Sequence, residues 1–306
     1  MSLPSPSIDG RRHSPAVLAS SRPSSPPNWL NAWFLTAVHL AAVAALVWST
    51  VHPPAWLSVG LGFLWYWCSG LSITGGYHRL FAHRSYRCSR LVSAFYLLFG
   101  AAAVQNSALA WASDHRRHHA HTDRDDDPYD ARQGLWWSHV GWVLRRDSPP
   151  DCSNVRDLQG DRLVALQHEW YLPTAMVVAG IVPALLGLAW GDPLGAFLWA
   201  GCLRLVAQYH STFAINSVAH RFGRRPYSHA TSARDNALVA LLTMGEGYHN
   251  FHHRFPSDFR NGIRWRDYDP TKWLVCALAA VRLAWDLKRT SPEVIARAKR
   301  ERLQST

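Results

Sequence analysis

The sequence predicts an all-α integral membrane protein, with four transmembrane helices and helical cytoplasmic segments that hold a histidine-rich metal centre. Four apolar runs have the length of a helix that spans a bilayer. Histidines cluster at helical spacing just outside these runs. Arginines are concentrated in the segment between the second and third runs, which the positive-inside bias places in the cytoplasm.

Composition narrows the class of protein and its compartment. The 306 residues carry a formal net charge of +11 and five cysteines. The cysteines form no CxxC pair, so neither a disulfide framework nor a zinc ribbon is indicated, which suits a reducing cytoplasm. The positive charge is interleaved with membrane-length segments and forms no nucleic-acid-reading motif, so no nucleic-acid partner is expected. Anionic membrane lipid or a phosphate-bearing substrate explains it better.

The chain is expected to consist of one membrane domain, residues 29–290, between two tails. Residues 1–28 are rich in serine and proline and predict a disordered cytoplasmic tail. The first apolar run is too long for a signal peptide, so no cleavage is expected. Residues 291–306 predict a charged C-terminal tail with frayed ends.

The first two spans are predicted at residues 29–51 and 56–74. Trp29, Trp33 and Trp48 lie toward the ends of the first run, where indole rings favour the membrane interface. A short proline-containing turn then returns the chain across the bilayer.

The third and fourth spans are predicted at residues 170–190 and 194–215, joined by a short outer turn. Arg204 falls inside the fourth span, where an ionised side chain is costly. We therefore expect it to face the protein core, although snorkelling or structural pairing would also account for it.

The arginines between the second and third spans orient the protein. They place this segment, both termini and every histidine cluster on the cytoplasmic side. These residues are Arg79, Arg84, Arg87, Arg90, Arg116, Arg117, Arg124, Arg132, Arg145, Arg146, Arg156 and Arg162.

The apolar run at residues 91–111 would pass as a further span by length alone. If it crossed the bilayer, His78 and His83 would lie on the opposite side from His115, and a shared metal site would be impossible. We therefore predict that it lies along the interface or folds back, with residues 105–107 facing polar groups. The alternative is an ordinary span with unrelated histidine clusters.

The second cytoplasmic block begins at residue 216. Residues 234–253 predict one helix, with Gly245 and Gly247 allowing a bend or a close approach. Residues 271–287 are apolar but short and interrupted by an arginine, which favours an interfacial helix.

Three histidine clusters indicate a metal centre. His115, His118 and His119 stand at i, i+3 and i+4, so they share one helix face and are predicted to converge on one point. A single motif of this kind would more often be a solvated run, but GYHNFHH repeats the spacing and HRLFAH adds a further pair. Neutral imidazole is the commonest side-chain donor to transition metals.

The number of candidate ligands implies two metal ions, because it exceeds what one tetrahedral zinc can use. Asn216 lies one helical turn before a candidate ligand, immediately beyond the fourth span, and joins the constellation. Histidine-rich ligation near a bilayer suits iron that activates dioxygen against an apolar substrate. The candidate histidines are His78, His83, His115, His118, His119, His220, His249, His252 and His253.

The separation of His78 and His83, i to i+5, places their side chains about 140° apart on a regular helix. We therefore expect the helix to end or unwind between them.

These motifs resemble the membrane fatty acid desaturases of the stearoyl-CoA desaturase type. The likeness runs from about residue 56 to 269 and rests on HRLFAH, QNSALAWASDHRRHH, SHVGW, NSVAHRFGRRPY and GEGYHNFHH in order. The resemblance implies four spans under a cytoplasmic cap that holds a non-haem di-iron centre. By the same likeness, one iron is held by His78, His83, His119, His253 and, through a water, Asn216. The other is held by His115, His118, His220, His249 and His252.

The resemblance also implies a bent acyl tunnel shaped by Gln105, Trp111 and Thr212, although ordinary interface packing would equally place them there. Arg145 and Arg146 could bind phosphate, or they could contact lipid headgroups. Ser113 stands where the animal enzymes have an arginine that contacts coenzyme A phosphates, so acyl-CoA and acyl-lipid both remain possible carriers.

The reaction implied is the introduction of a cis double bond, at the delta-9 position, using O2 and two external electrons. With no GxGxxG or HPGG motif in the sequence, a cytochrome b5 or a ferredoxin with its reductase is the expected donor. A fatty acid or alkane hydroxylase with the same ligands is the nearest alternative. A membrane zinc-binding protein is a more distant one.

Overall fold

The computed structural model describes residues 26–145 and 151–304. Nearly all of the predicted tail at 1–28 lies outside these residues, as does Arg146. The described chain is mostly helical, with one two-stranded antiparallel sheet formed by β1, Arg87–Cys88, and β2, Ala284–Trp285.

The first two predicted spans form two long helices. Helix α1, Trp29–Val51, has the predicted bounds, and the side chain of Asn28 caps its first turn by accepting from Asn31 N. Helix α2, Trp56–Ala82, extends beyond the predicted end at residue 74. It does so by widening into a π-helix over Ser72–Ala82, which carries the chain directly to the first histidine pair.

The sequence predicted four spans, and three helices of the described chain are long and apolar enough to cross a membrane. They are α1, α2 and Tyr171–Trp190, labelled α5 below. The predicted fourth span is continuous helix but combines Pro193–Ala196, the π-helix Phe197–Leu203 and α6, Arg204–Asn216. Several polar side chains in α6 lower its apolar character.

Arg204 faces the protein core, as predicted. It is 3% exposed, and it donates from Nε to Ala200 O and from Nη1 to Ala102 O, both at 2.7 Å. The second of these bonds holds the segment that begins at Ala102.

The apolar run at 91–111 is not one helix, which confirms that prediction. Helix α3, Arg90–Ala101, is too short to span, and α4, Ala108–His121, begins after a break. Within the break, Val104 and Asn106 adopt positive φ values of 52° and 83°, and the Ser107 side chain caps α4. The chain therefore folds back and returns His115 to the side of His78.

The part of the chain after residue 216 differs from the prediction in two places. Residues 234–253 form two helices, α7, Ala237–Leu242, and α8, His249–Arg254, because Met244 and Gly245 adopt positive φ values between them. The predicted helix at 271–287 is only α9, Pro270–Ala280, since the chain then turns to pair β2 with β1.

The C-terminal segment is a packed helix rather than a frayed tail. Helix α10, Pro292–Gln304, buries Ile295 against Tyr227 and Phe251. Its apolar residues at helical spacing explain the packing. Shorter connecting helices are Ala131–Gln133, Trp137–Gly141, Trp142–Leu144, Cys152–Val155, Arg156–Gln159, Arg162–Glu169 and Val218–Arg221.

Gly76 allows α2 and α3 to pack closely where the metal centre begins. A Cβ atom at this position would lie 2.5 Å from the Cβ of Tyr96, which is 1% exposed. We predict that Gly76→Ala destabilises the protein by about 1–3 kcal/mol through overpacking. Thermal unfolding in detergent measures this, and Gly60→Ala in the same helix, with open space around its Cβ, should change stability little. Equal stability of both variants would contradict the packing described.

Candidate metal centre

The nine predicted histidines meet in two adjacent groups. The imidazole nitrogens of each group lie within 4.8 Å of one another. The first group comprises His78, His83, His115, His119 and His252, and the second comprises His118, His220, His249 and His253.

Helix geometry explains how each HxxHH motif serves both groups. Residues i+3 and i+4 point about 100° apart on a helix, so they cannot address one point equally. On α4, His115 and His119 belong to the first group and His118 to the second. The predicted convergence of these three rings on one point is therefore wrong, because the motif bridges two sites. Helix α8 shows the reverse arrangement, with His252 alone in the first group.

The π-helix resolves the five-residue spacing of His78 and His83. The His83 N–H donates to His78 O at 3.0 Å, an i to i+5 bond that places one ring a turn beyond the other. Their ring centroids are 4.8 Å apart. The predicted departure from a regular helix is confirmed, and it takes the form of a widened turn.

The ring nitrogens within each group approach one another closely. The Nε2 atoms of His83 and His115 are 2.8 Å apart, and His252 Nε2 lies 2.9 Å from His119 Nε2 and 3.0 Å from His78 Nε2. Two metal–nitrogen bonds of about 2.1 Å at a right angle separate their nitrogens by about 3.0 Å. The spacing therefore fits imidazoles directed at a common cation.

The second group has the same geometry. His249 Nε2 lies 3.0 Å from His220 Nε2 and 3.1 Å from His253 Nε2, which is 3.3 Å from His118 Nε2. Lone pairs directed at one point repel unless a cation lies between them. Both groups thus fit a transition metal, for which imidazole is a preferred ligand.

Three outer partners fix the orientation of ligand rings. His118 Nδ1 lies 2.8 Å from Asp127 Oδ1, and His220 Nδ1 lies 2.7 Å from Ser232 Oγ. His78 Nδ1 lies 2.8 Å from Glu246 Oε2. A hydrogen on Nδ1 in each ring leaves the Nε2 lone pair free for a metal.

Burial keeps the imidazoles neutral. It lowers the pKa of His115, His119, His249 and His252 well below the usual value, and the neighbouring rings lower it further. Burial, together with the neighbouring ring of His118, lowers the pKa of His220 to about 3. These rings therefore carry free lone pairs at neutral pH.

A buried ion network lies beneath the centre. Arg79, 1% exposed, donates to Glu246 and Asp269 at 2.9 Å and to Phe259 O at 2.8 Å. Burial raises the pKa of Glu246, but His78 and Arg79 oppose this and bring it to about 2. The carboxylate is thus ionised and links Arg79 to a ligand ring.

One cavity of about 520 Å³ joins the metal centre to the interior of the helical bundle. His78, His115 and His249 line it, as does Asn216. Its other lining side chains are mainly apolar, including Phe34, which suits a hydrocarbon ligand.

The predicted tunnel residues lie together in this cavity. Gln105 Nε2 donates to Thr212 Oγ1 at 3.0 Å, and Trp111 stacks on His115 with ring centroids 4.8 Å apart. Arg145 follows the Trp142–Leu144 helix and is absent from the cavity lining, while Arg146 lies outside the described residues.

Comparison with known protein families supplies the deciding observation, since residues 54–280 match the fatty acid desaturase model. The chain belongs to the fatty acid desaturase family. This confirms the resemblance seen in the histidine motifs, and the match runs from two residues before α2 to the end of α9.

Relatives within the fatty acid desaturase family carry related names. The chain is 43% identical over 249 residues to acyl-CoA desaturase 1 of Saccharomyces cerevisiae and 40% identical over 263 residues to a probable acyl-CoA desaturase of Schizosaccharomyces pombe. These alignments cover 80% and 85% of the chain but 49% and 54% of the yeast proteins, so the chain spans about half their length. A delta(9)-fatty-acid desaturase of Caenorhabditis elegans is 34% identical over 276 residues, covering 88% of this chain and 81% of that protein.

The structure corrects how the desaturase ligands are divided. The resemblance placed His253 with the first metal and His115 and His252 with the second, whereas all three belong to the opposite groups. The grouping seen in the structure follows from the angular positions of i, i+3 and i+4 on each helix, which the motifs alone do not show.

Sequence reasoning missed the outer partners of the ligands. Glu246 stands in GEGYHNFHH, three residues before His249, and a carboxylate beside a histidine motif was a usable signal. Asp127 belongs to an acidic loop that gave no indication of which carboxylate would reach His118.

Proposed function

We propose that this desaturase family member is an acyl-CoA desaturase that introduces a cis double bond into a saturated fatty acyl chain, at the delta-9 position. The observation that carries the proposal is that both imidazole groups open onto one largely apolar cavity. The names of the relatives favour acyl-CoA as the carrier and delta-9 as the position.

The reaction is an oxidation of two adjacent methylenes by O2. The segment –CH2–CH2– with O2, two electrons and two protons gives –CH=CH– and two waters. We propose two iron ions as the resident cofactor, and these would supply the activation of dioxygen when bound.

The two imidazole groups would each hold one iron. Asn216, which ends α6 and lines the cavity beside both groups, would contribute a further ligand through a water. The remaining ligands are His78, His83, His115, His119 and His252 for the first iron, and His118, His220, His249 and His253 for the second.

The cavity selects the carbon atoms that react, because an unactivated C–H bond is distinguished only by its position. Trp111 forms a flat wall over His115, and the bond between Gln105 and Thr212 crosses from the break after α3 to α6. This pair would fix the bend of the acyl chain, and the apolar lining would exclude bulk water.

The proposed topology has four spans, with both termini and the metal centre on the cytoplasmic side. The helix through residues 193–216 is the fourth span. Electrons would come from an external cytochrome b5 or ferredoxin with its reductase, whose acidic surface the net positive charge attracts. Arg145 and Arg146 are candidates for contact with a phosphate of the carrier or of membrane lipid.

Fatty acid profiling of an expressing host tests the proposed function. With an electron donor supplied, mass spectrometry should show acyl chains lighter by two hydrogens, with the double bond at the delta-9 position. Products heavier by one oxygen would instead identify a hydroxylase. Purified protein that contains zinc and consumes no O2 would contradict both and identify a metal-binding protein.

A further inference from the structure

Three histidines outside the metal centre form a hydrogen-bonded chain. His39 lies on α1, His139 on the π-helix Trp137–Gly141 and His210 on α6. His210 Nε2 is 3.0 Å from His39 Nε2, and His210 Nδ1 is 3.0 Å from His139 Nε2. Because His210 uses a different nitrogen toward each neighbour, the rings do not converge on one point as metal ligands do.

Both ends of this histidine chain meet hydrogen-bond acceptors. His39 Nδ1 lies 2.6 Å from Leu35 O, an atom that can only accept. His139 Nδ1 lies 2.8 Å from Ser217 Oγ, which donates its own hydrogen to Phe213 O at 2.7 Å. Each terminal ring must therefore carry its hydrogen on Nδ1.

Counting hydrogens shows that neutral rings cannot complete the histidine chain. Four links join Leu35 O, the three rings and Ser217 Oγ, and each link needs one hydrogen. Three neutral imidazoles supply three. The two end rings use theirs on Nδ1, so His210 has one hydrogen for the two links on either side of it.

We propose that the histidine chain is a binding site for one proton, held on His210 between His39 and His139. The protonated His210 donates from both ring nitrogens, to His39 Nε2 on one side and His139 Nε2 on the other. All four links are then filled.

The surroundings limit the site to a single proton. Burial lowers the pKa of His139, and the charge of His210 lowers it further, while the Phe213 carbonyl raises it. The two rings thus do not become charged together. Two phenols lie on or against residues adjoining His210: Tyr209 of α6, which donates to Val104 O, and Tyr66 of α2, whose hydroxyl bonds to Ser211.

The position of the histidine chain gives the proton a structural effect. His39 lies within a candidate span, where a polar ring is costly without partners and usually has a function. The histidine chain joins α1, α6 and the π-helix Trp137–Gly141. Of these, α1 contributes Leu35 and α6 contributes Thr212 to the cavity wall. Proton uptake adds a hydrogen bond at this junction, so the wall is held more firmly as pH falls.

Histidine-selective 15N NMR of the full chain in lipid nanodiscs tests the proposal. The His210 signals are identified by their loss in His210→Gln and followed from about pH 8 to pH 5. We expect His39→Leu to lower the pKa of His210. Without His39, the single hydrogen of the neutral His210 ring is enough for its one remaining link, to His139, so protonation no longer adds a hydrogen bond. Repulsion between two rings alone predicts the opposite, a rise in the pKa when His39 is removed.

Two further variants complete the test. His139→Leu removes the opposite end of the histidine chain and should also lower the pKa of His210. The same shift in two independent variants excludes misfolding of one of them as its cause. His52→Leu, at the exposed far end of α1, should leave the titration unchanged. A rise or no change in the pKa of His210 in both chain variants would overturn the proposal, as would three neutral rings in the wild type at pH 5. Activity is not the readout, so failure here leaves the proposed desaturase function untouched.

Discussion

Replacing His252 or His118 with alanine is expected to abolish turnover while the protein still inserts into the membrane. Each ring is 2% exposed or less and belongs to a different imidazole group. Outer partners of metal ligands alone are worth about 10–100-fold in affinity or activity, so loss of a ligand should cost more than about 100-fold. Acyl-chain desaturation in an expressing host measures the effect, and His121→Ala, at a partly exposed position on α4 outside both imidazole groups, is the control. Retained activity in either variant would refute the ligand set.

Paired substitutions test the corrected division of ligands between the two sites. His119→Ala with His252→Ala removes two ligands of the first group and should leave the second metal bound. His252→Ala with His253→Ala removes one from each group and should lower the content of both. Metal analysis of the purified variants distinguishes the two patterns. Equal losses in both double variants would favour the division implied by family resemblance.

Asp269→Ala is expected to cause the largest loss of stability. Asp269 is fully buried and accepts from Arg79, from the backbone N–H groups of Asn261 and Gly262, and from Lys272 N at the start of α9. Removing one partner of a buried ion pair costs about 3–5 kcal/mol, because the remaining charge is left without compensation.

Thermal or denaturant unfolding in detergent measures the effect of Asp269→Ala. Asp286→Asn is the control, because Asp286 also pairs with an arginine but both side chains are well exposed, and Asn tolerates the positive φ of this position. That surface pair should contribute less than about 1 kcal/mol. Since Arg79 also bonds Glu246, the partner of His78, the Asp269 variant should bind less metal as well. Similar unfolding of the two variants would show that the buried network is not needed for stability.

Local rules were sufficient for the helices with a clear beginning and end. Helix α1 has the predicted bounds because a capping Asn28 precedes it and a proline-containing turn follows. The requirement that His78 and His115 share one site correctly excluded a span at 91–111. In this case a chemical constraint decided what hydropathy left ambiguous.

The remaining features depend on contacts that are distant in sequence. The pairing of β1 with β2 joins residues about 200 positions apart, so the predicted helix at 271–287 ends early. The positive φ values of Met244 and Gly245 break the predicted helix at 234–253. At this point Gly245 packs against Asp269, and the Met244 side chain packs against Gly70 of α2. Similarly, each HxxHH motif contributes to two sites, and this becomes visible only once α4 and α8 are packed against each other.

The central claim is that distant imidazoles form two neighbouring metal sites in one chain. Mössbauer spectroscopy of protein purified from a host grown on 57Fe, together with total metal analysis, tests it most directly. We predict two irons per chain, both in histidine-rich environments, with zinc absent. One iron per chain, or zinc in place of iron, would contradict the account.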